Sequence, residues 1–282
     1  MKKLIICTAV AVMVLDAMNQ SAAAEGIFPD KNLEAVVRKY VFEKRRNDEP
    51  IVEEDVVKIS TIQGKGQQIK DLTGLEKCRS LALLDLENNE IDNIEAITEL
   101  TNIQSLDLTK NKIEDIKPVA GLTKLQYLKL DKNQISDLAP LSKLENMRSL
   151  YLSNNKIKDL KPLGKLTKMW SLYLDGNEIE DISILSKLED VDHLDLGENH
   201  ISKIEPLTKL TEWKHLDLEN NKVTNLKLLI EMGKKDKEGS QRFAYFWQIY
   251  LTGNPLSDEA KKTQLDELKK FAKTVEFEQV AP

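Results

Sequence analysis

The chain has 282 residues, of which 41% are hydrophobic and 31% are charged, and its formal net charge at pH 7 is −6. Length and composition fit one elongated domain with enough apolar residues for a continuous core. The mild negative charge argues against binding to nucleic acids or anionic membranes, so we expect neither among the partners.

The first 24 residues have the composition of a secretory leader. Lys2 and Lys3 precede an apolar run that extends from Leu4 to Leu15, and small residues follow up to Ala24. The apolar run is too short to span a bilayer, so the pattern predicts a signal peptide over residues 1–24. We therefore expect a secreted or periplasmic protein without a membrane span.

Residues 25–58 are predicted to form a helical N-terminal cap. Leu33, Val36 and Val37 recur at helical spacing, which indicates an amphipathic helix. A second short helical stretch is predicted over residues 53–58. The two helices are expected to cover the first coil of the stack that follows, because its strand edge and core otherwise face water.

From Ile59 the sequence repeats, first in weakened form and then, from Leu81, every 22 residues. In each regular repeat a Leu-x-Leu pair precedes an asparagine, and aliphatic residues follow that asparagine at fixed spacing. The pattern L-x-x-L-x-L-x-x-N-x-I-x-x-I-x-x-L-x-x-L is typical of a leucine-rich repeat. The recurring asparagines are Asn89, Asn111, Asn133, Asn155, Asn177, Asn199 and Asn221.

The spacing within one repeat predicts which side chains face inward. Alternate side chains of a strand point to opposite sides, so the two leucines enter the core and the residue between them faces out. The asparagine carries a donor and an acceptor that can bond the backbone of the turn and continue as a ladder from coil to coil. Asn155→Ala is accordingly predicted to cost about 1–3 kcal/mol, whereas Asn154→Ala, at an outward position, is predicted to be nearly silent.

A stack of such coils is an α/β leucine-rich repeat solenoid, a curved right-handed arch with parallel strands on its concave face. We assign residues 59–256 to it, as one degenerate, seven regular and one interrupted repeat. The interruption follows Asn221, since the next matching asparagine is Asn254 and a charged insertion lies around residues 232–242. Residues 257–282 are predicted to form a helical C-terminal lid.

The ends of the repeat region make the pattern more specific. Ile27-Phe28-Pro29-Asp30, the two helices, a weak repeat with Gly-Lys-Gly and repeats ending in Ile-x-Asp-Ile/Leu-x-Pro-Leu resemble the bacterial internalin-type leucine-rich repeat family. Through repeat length and consensus alone, the chain is also similar to eukaryotic phosphatase regulators. The internalin resemblance covers Ile27 to about Leu229 and implies a curved solenoid that binds a protein on its concave face.

Aromatic residues are concentrated in the middle of the predicted concave face. Tyr127, Tyr151 and Tyr173 occupy outward strand positions, and Trp170 immediately precedes one of these strands. Clustered aromatic side chains with a polar rim are typical of the energetic centres of protein interfaces. The alternative is that tyrosines merely suit a pleated surface.

Acidic residues flank this patch on both sides. Asp85 and Asp107 precede it, and Asp195 and Asp217 follow it, each pair in the same outward slot of adjacent repeats. Like charges directly opposite each other cost stability, so the pairs indicate a basic partner surface or a bound cation. A solvated face on which salt screens the charges is the alternative.

Two histidines also share a slot in adjacent repeats. His193 and His215 are each followed two residues later by an aspartate, and two imidazoles with two carboxylates could bind Zn²⁺. The alternative is that His-Leu-Asp-Leu is simply repeated sequence, and we therefore expect no metal and no other cofactor. The sequence contains no nucleophile elbow, phosphate loop or metalloprotease helix.

We interpret the chain as a secreted, monomeric, non-enzymatic recognition or adhesion module that binds a protein on its concave face. A glycan is the second choice of ligand. One alternative is an intracellular regulatory subunit similar to the phosphatase regulators. Another is a metal-dependent enzyme that uses His193, His215, Asp195 and Asp217.

Overall fold

The computed structural model describes residues 26–210, 214–239, 241 and 244–278. The predicted leader, residues 1–24, lies outside the described residues.

The described residues form one sheet of ten parallel strands, and the strands lie side by side in chain order. Each strand is three residues long, and equivalent positions of adjacent repeats pair directly, for example Leu106 with Leu128. This order confirms the predicted leucine-rich repeat solenoid. The strands are β1 (Thr61–Gln63), β2 (Leu83–Asp85), β3 (Ser105–Asp107), β4 (Tyr127–Lys129), β5 (Ser149–Tyr151), β6 (Ser171–Tyr173), β7 (His193–Asp195), β8 (His215–Asp217), β9 (Gln248–Tyr250) and β10 (Thr274–Glu276).

Short 3-10 turns return the chain along the opposite, convex side. In four of the turns, an aspartate two residues before the first turn residue accepts a hydrogen bond from that residue's amide, as when Asp115 Oδ1 accepts from Lys117 N at 2.8 Å. Prolines near the start of several turns, such as Pro118, prevent their growth into regular helices. The turns span Leu75–Lys77, Glu95–Ile97, Lys117–Gly121, Ala139–Lys143, Lys161–Lys165, Ser183–Lys187 and Glu205–Lys209.

The recurring asparagines link successive coils through buried hydrogen bonds. Asn155 Oδ1 accepts from Ile135 N of the preceding coil at 3.0 Å. Its Nδ2 donates to Leu130 O, also in the preceding coil, and to Leu152 O of its own coil, at 3.0 Å each. The same three kinds of bond occur at Asn89, Asn111, Asn133, Asn177, Asn199, Asn221 and Asn254.

The residue immediately before each of these asparagines adopts a left-handed backbone conformation. Its φ is +57° at Asn154 and +65° at Gly176. The chain needs this conformation to turn out of the strand so that the next side chain points inward. Sequence periodicity did not reveal it, because the position carries side chains of different types: Asn88, Lys110, Lys132, Asn154, Gly176, Glu198, Asn220 and Gly253.

Helix α1 (Lys31–Arg38) and helix α2 (Glu53–Val56), with a 3-10 turn at Phe42–Lys44, cover the first coil. Leu33, Val36 and Val37 of α1 are fully buried, as their helical spacing predicts. The hydroxyl of Tyr40 accepts a hydrogen bond from Gln63 N at 2.9 Å. This contact satisfies a backbone amide of β1, beside which the described residues place no strand other than β2.

Asp30 connects this cap to the first repeat. Its Oδ1 accepts from the amides of Asn32 and Leu33 at the start of α1, and its Oδ2 accepts from Lys70 and Asp71. Burial by itself raises the pKa of Asp30, but the four backbone donors outweigh burial and lower the pKa below its usual value. The charged carboxylate therefore holds the helix and the repeat together.

At the other end, helix α3 (Lys227–Glu238) begins ahead of the insertion and extends into it, and a 3-10 turn follows at Ala244–Phe246. The lid consists of a π-helical segment, Ala260–Gln264, and helix α4 (Leu265–Leu268). A hydrogen bond joins the lid to the coil that contains Leu226, since Gln264 Oε1 accepts from Leu226 N at 2.7 Å. Within the described ranges, no helix has both the length and the apolar character needed to cross a membrane.

Candidate functional site

The concave face of the sheet presents two parallel rows of outward side chains. Each strand contributes its first residue to row one and its last residue to row two, because the side chain between them enters the core. From β2 to β9, row one contains Leu83, Ser105, Tyr127, Ser149, Ser171, His193, His215 and Gln248. Row two contains Asp85, Asp107, Lys129, Tyr151, Tyr173, Asp195, Asp217 and Tyr250.

Two of the predicted aromatic residues form a stacked pair in row two. The rings of Tyr151 and Tyr173 lie parallel, with centroids 4.5 Å apart and an interplanar angle of 7°. Lys129 covers the other side of Tyr151, with its Nζ 5.1 Å from the ring centroid. That ammonium group also lies 3.7 Å from Asp107 Oδ2.

The other two predicted aromatic residues are exposed but lie apart from this stack. Tyr127 is in row one and is 44% exposed. Trp170 is 47% exposed and precedes β6, where its ring packs against Arg148, whose guanidinium carbon is 4.9 Å from the ring centroid. The four predicted residues thus give one stacked pair, one ring packed on an arginine and one separate exposed tyrosine.

The acids at the two ends of the face have different surroundings. Asp107 pairs with Lys129, and Asp85 accepts a hydrogen bond from Glu87 N at 3.1 Å. Asp195 and Asp217 are partly buried and adjacent on β7 and β8. Among the residues that the structure describes, no basic side chain forms an ion pair with either of them.

Burial raises the pKa of Asp195 to about 7, and the nearby charge of Asp175 adds to the effect. Burial likewise raises the pKa of Asp217 to about 6; the amide of Glu219 opposes this shift through a hydrogen bond, whereas the carboxylate of Glu219 reinforces it. These two carboxyls therefore change their charge close to neutral pH.

Gly197 is buried against these two carboxyls, and the sequence pattern did not indicate this contact. A Cβ atom at this position would lie 3.3 Å from Asp217 Oδ1 and 3.5 Å from Asp195 Oδ1. Its amide donates a hydrogen bond to Asp195 Oδ1 at 3.1 Å. The glycine thus lets both carboxyls approach the backbone at a position where the adjacent coils carry the acids Asp175 and Glu219.

The histidines stack along row one and do not converge on a common point. Their ring centroids are 6.1 Å apart at an angle of 15°, and His215 also lies 5.1 Å from the ring of Tyr250. His193 Nδ1 is hydrogen-bonded to Asp192 Oδ1 at 2.7 Å, not to Asp195. In the part of the chain that the structure describes, no group of three or more His, Cys, Asp or Glu side chains could hold a metal ion.

The double replacement Asp195→Asn and Asp217→Asn is expected to stabilise the protein at pH 8. The pKa values of both carboxyls are raised in the folded state, so above those values their ionisation opposes folding. Solvent reaches both groups, and we expect a gain of about 1 kcal/mol in the free energy of unfolding. Urea denaturation at pH 8 and pH 5 measures it. The gain should shrink at pH 5, where both carboxyls are protonated in the folded state.

Asp85→Asn is the matched control, because Asp85 occupies the same row on β2. Its replacement removes one carboxylate from the same row, away from the Asp195–Asp217 pair, and should not reproduce the gain in stability at pH 8. A double variant that is less stable than the parent at pH 8 contradicts the expected result.

Three segments of the chain match the family of leucine-rich repeats in which each unit comprises two copies of the repeat. The segments are residues 101–143, 145–187 and 190–231. None of the curated proteins compared with the chain matches it.

Solved structures give more extensive similarity. Internalin C2 from Listeria monocytogenes is 33% identical, with a TM-score of 0.58, and the match covers 68% of this chain and 94% of that protein. Another Listeria monocytogenes internalin, inlF, is 23% identical, with a TM-score of 0.56, and the match covers 90% of this chain and 97% of that one.

A plant protein shares the fold at lower identity. It is the leucine-rich repeat ectodomain of the membrane receptor kinase GASSHO1/SCHENGEN3 from Arabidopsis thaliana, whose structure is a complex with Casparian strip integrity factor 2. The identity is 21% and the TM-score 0.57, and the match covers 73% of this chain and 26% of the plant chain.

Proposed function

The chain belongs to the bacterial internalin-type leucine-rich repeat proteins, and from this membership we propose that it is a secreted, non-enzymatic module that binds a protein on its concave face. The proposal includes a monomeric state and a partner with a basic surface. The plant ectodomain, which has the same fold, supports the proposal that such a solenoid binds a protein, because its structure is a complex with Casparian strip integrity factor 2.

The observation that carries the proposal is the stacked pair of Tyr151 and Tyr173 in the middle of the sheet. Stacking holds both rings in one orientation, so a partner that covers them loses little additional side-chain entropy. Aromatic side chains that are already ordered and flanked by polar groups have the character of interface hot spots. The carboxylates of Asp195 and Asp217 supply a negative rim on the side away from Lys129.

Alanine at Tyr151, Tyr173 or Trp170 is expected to weaken the complex with the partner recovered by affinity capture. A true hot spot loses about 2 kcal/mol or more of binding free energy on truncation to alanine, which is roughly thirtyfold in Kd. Calorimetric titration of each purified variant measures the loss. The circular-dichroism spectrum should stay unchanged, because the three rings lie outside the core.

Phe42→Ala is the matched control, since Phe42 is 73% exposed but belongs to the N-terminal cap. It should bind the partner as the parent does. Unchanged affinity in all three concave-face variants would remove this face as the binding surface, and capture of a glycan in place of a protein would change the ligand class.

A further inference from the structure

Row two contains a segment that we call the acidic slot, which runs from β6 to β9. A tyrosine stands at each end of it, Tyr173 and Tyr250, and Asp195 and Asp217 lie between them. Adjacent strands are about 4.8 Å apart, so the two tyrosines are separated by roughly 14 Å. Both carboxyls pack close to the backbone of the buried Gly197, which carries no side chain that could cover them.

The same row already holds one cation, on the other side of the tyrosine stack. Lys129 lies between Asp107 and Tyr151, with its ammonium group 3.7 Å from the carboxylate oxygen and 5.1 Å from the ring centroid. A carboxylate and an aromatic face thus bind an ammonium ion together, by charge and by cation–π attraction. This contact shows that an acid and a tyrosine of this row can hold one ammonium group together, here from the strand between them. In the acidic slot the acids and tyrosines are on adjacent strands, so a cation would approach them from outside the sheet.

On the opposite side of the stack, the corresponding cation is not supplied by the described residues. Because Tyr151 and Tyr173 are parallel, the outer face of Tyr173 points along the sheet towards β7. There the row continues with Asp195 and Asp217, which have no described basic partner. Partly buried carboxylates without a counter-charge lower the stability of the fold, so an external cation would relieve a cost that the free protein carries.

We propose that the acidic slot receives a lysine or arginine side chain of the protein partner. This inference rests on the proposed function, because it specifies the chemistry of the group that the concave face binds. The charged end would pair with Asp195 and Asp217, and the aliphatic stem would lie against Tyr173 or Tyr250. Arginine fits better than lysine, since its planar guanidinium can bond two carboxylates and stack on a ring.

Binding in the slot should weaken as the solution becomes acidic. The charged and titratable groups around it are Asp175 on the β6 side, His193, Asp195 and Glu198 with β7, His215, Asp217 and Glu219 with β8, and Tyr250 on β9. The pKa values of Asp195 and Asp217 are raised to about 7 and about 6, so both carboxyls gain a proton between pH 8 and pH 5. Their protonation removes the attraction for a cation.

The test uses three short peptides and the isotopically labelled protein. Acetyl-Gly-Arg-Gly-amide is titrated against the protein, and backbone amide shifts are followed by NMR. We expect concentration-dependent shifts around Tyr173, Gly197 and Asp217 at pH 8, with at least tenfold weaker binding at pH 5. The lysine peptide should shift the same amides, and the citrulline peptide, which is similar in shape but uncharged, should shift none of them.

The Asp195→Asn and Asp217→Asn double variant should bind the arginine peptide at least tenfold more weakly, because both carboxylates lose their charge. Asp85→Asn, in the same row but distant from the slot, should bind it as the parent does. Equal shifts with the citrulline peptide, unchanged binding by the double variant, or shifts confined to other parts of the surface would each overturn the proposal.

The outcomes also separate this inference from the proposed function. If the tyrosine variants lose the partner but the arginine peptide does not bind the slot, the concave-face function stands and the assignment of a basic side chain fails. If the peptide binds the slot but neither the tyrosine variants nor the double aspartate variant affect the partner complex, the concave-face function fails.

Discussion

Asn155→Ala is expected to lower the free energy of unfolding by about 2 kcal/mol, because a buried backbone group left without a partner costs about 1–3 kcal/mol. The side chain accepts from Ile135 N and donates to Leu130 O in the preceding coil and to Leu152 O in its own. Alanine leaves the amide of Ile135 without its acceptor, whereas the two carbonyls each keep one bond, from Asn133 and Asn177. Urea denaturation followed by circular dichroism measures the change.

The control for this replacement follows from the backbone at the neighbouring position. Asn154 is exposed, but its φ of +57° means that alanine there adds left-handed strain of about 1 kcal/mol. Asn154→Ala is therefore not expected to be silent. Asn154→Gly is the better control, because glycine adopts this conformation freely and Gly176 occupies the same position one coil later. A similar loss in Asn155→Ala and Asn154→Gly would contradict the buried ladder.

Gly74→Ala is expected to destabilise the protein by at least about 3 kcal/mol, through backbone strain and overpacking together. The φ of Gly74 is +100°, and a Cβ atom there would lie 2.5 Å from Ile27 O and 2.7 Å from Phe28 Cδ1. Both neighbours belong to the segment that leads into the N-terminal cap, and Phe28 is 1% exposed. The first coil and the cap must therefore separate to admit the methyl group.

Gly121→Ala is the matched control for the effect of adding a methyl group to a glycine. A Cβ atom at Gly121 meets only Thr98 O, at 3.8 Å, and the backbone there has no positive φ. The replacement should be neutral or slightly stabilising, because alanine lowers the entropy of the unfolded chain. Thermal denaturation measures both variants. Equal unfolding temperatures for Gly74→Ala and Gly121→Ala would contradict the predicted crowding at Gly74.

The sequence was sufficient to predict the repeat architecture because a single period controls burial throughout. The spacing of Leu84 and Leu86 recurs in every regular coil, so the inward and outward sides of each strand follow from one pattern. The charged insertion was open to two interpretations, a surface loop or a longer helix. Its first part lengthens α3, which begins at Lys227 ahead of the insertion, and periodicity could not distinguish the two because the inserted residues have no counterpart in the other repeats.

The details of the candidate site depend on side-chain geometry that periodicity does not encode. The slot pattern places Tyr151 and Tyr173 on adjacent strands, but the parallel stacking of their rings follows from their rotamers. Trp170 packs on Arg148 for a similar reason, and His193 bonds its chain neighbour Asp192. The sequence did not identify Gly197 as part of the site, because its effect depends on how close the carboxylates of Asp195 and Asp217 lie to it in space.

The in-register pairing of every strand with its neighbour has a consequence for how such proteins diversify. Duplication or deletion of one 22-residue unit moves everything beyond it by one strand spacing, about 4.8 Å, and leaves each local contact intact. Distances between chemical groups on the face therefore change in discrete steps. A lineage can adjust the separation between the tyrosine pair and a distant carboxylate by gaining or losing a whole unit, without redesigning the interior.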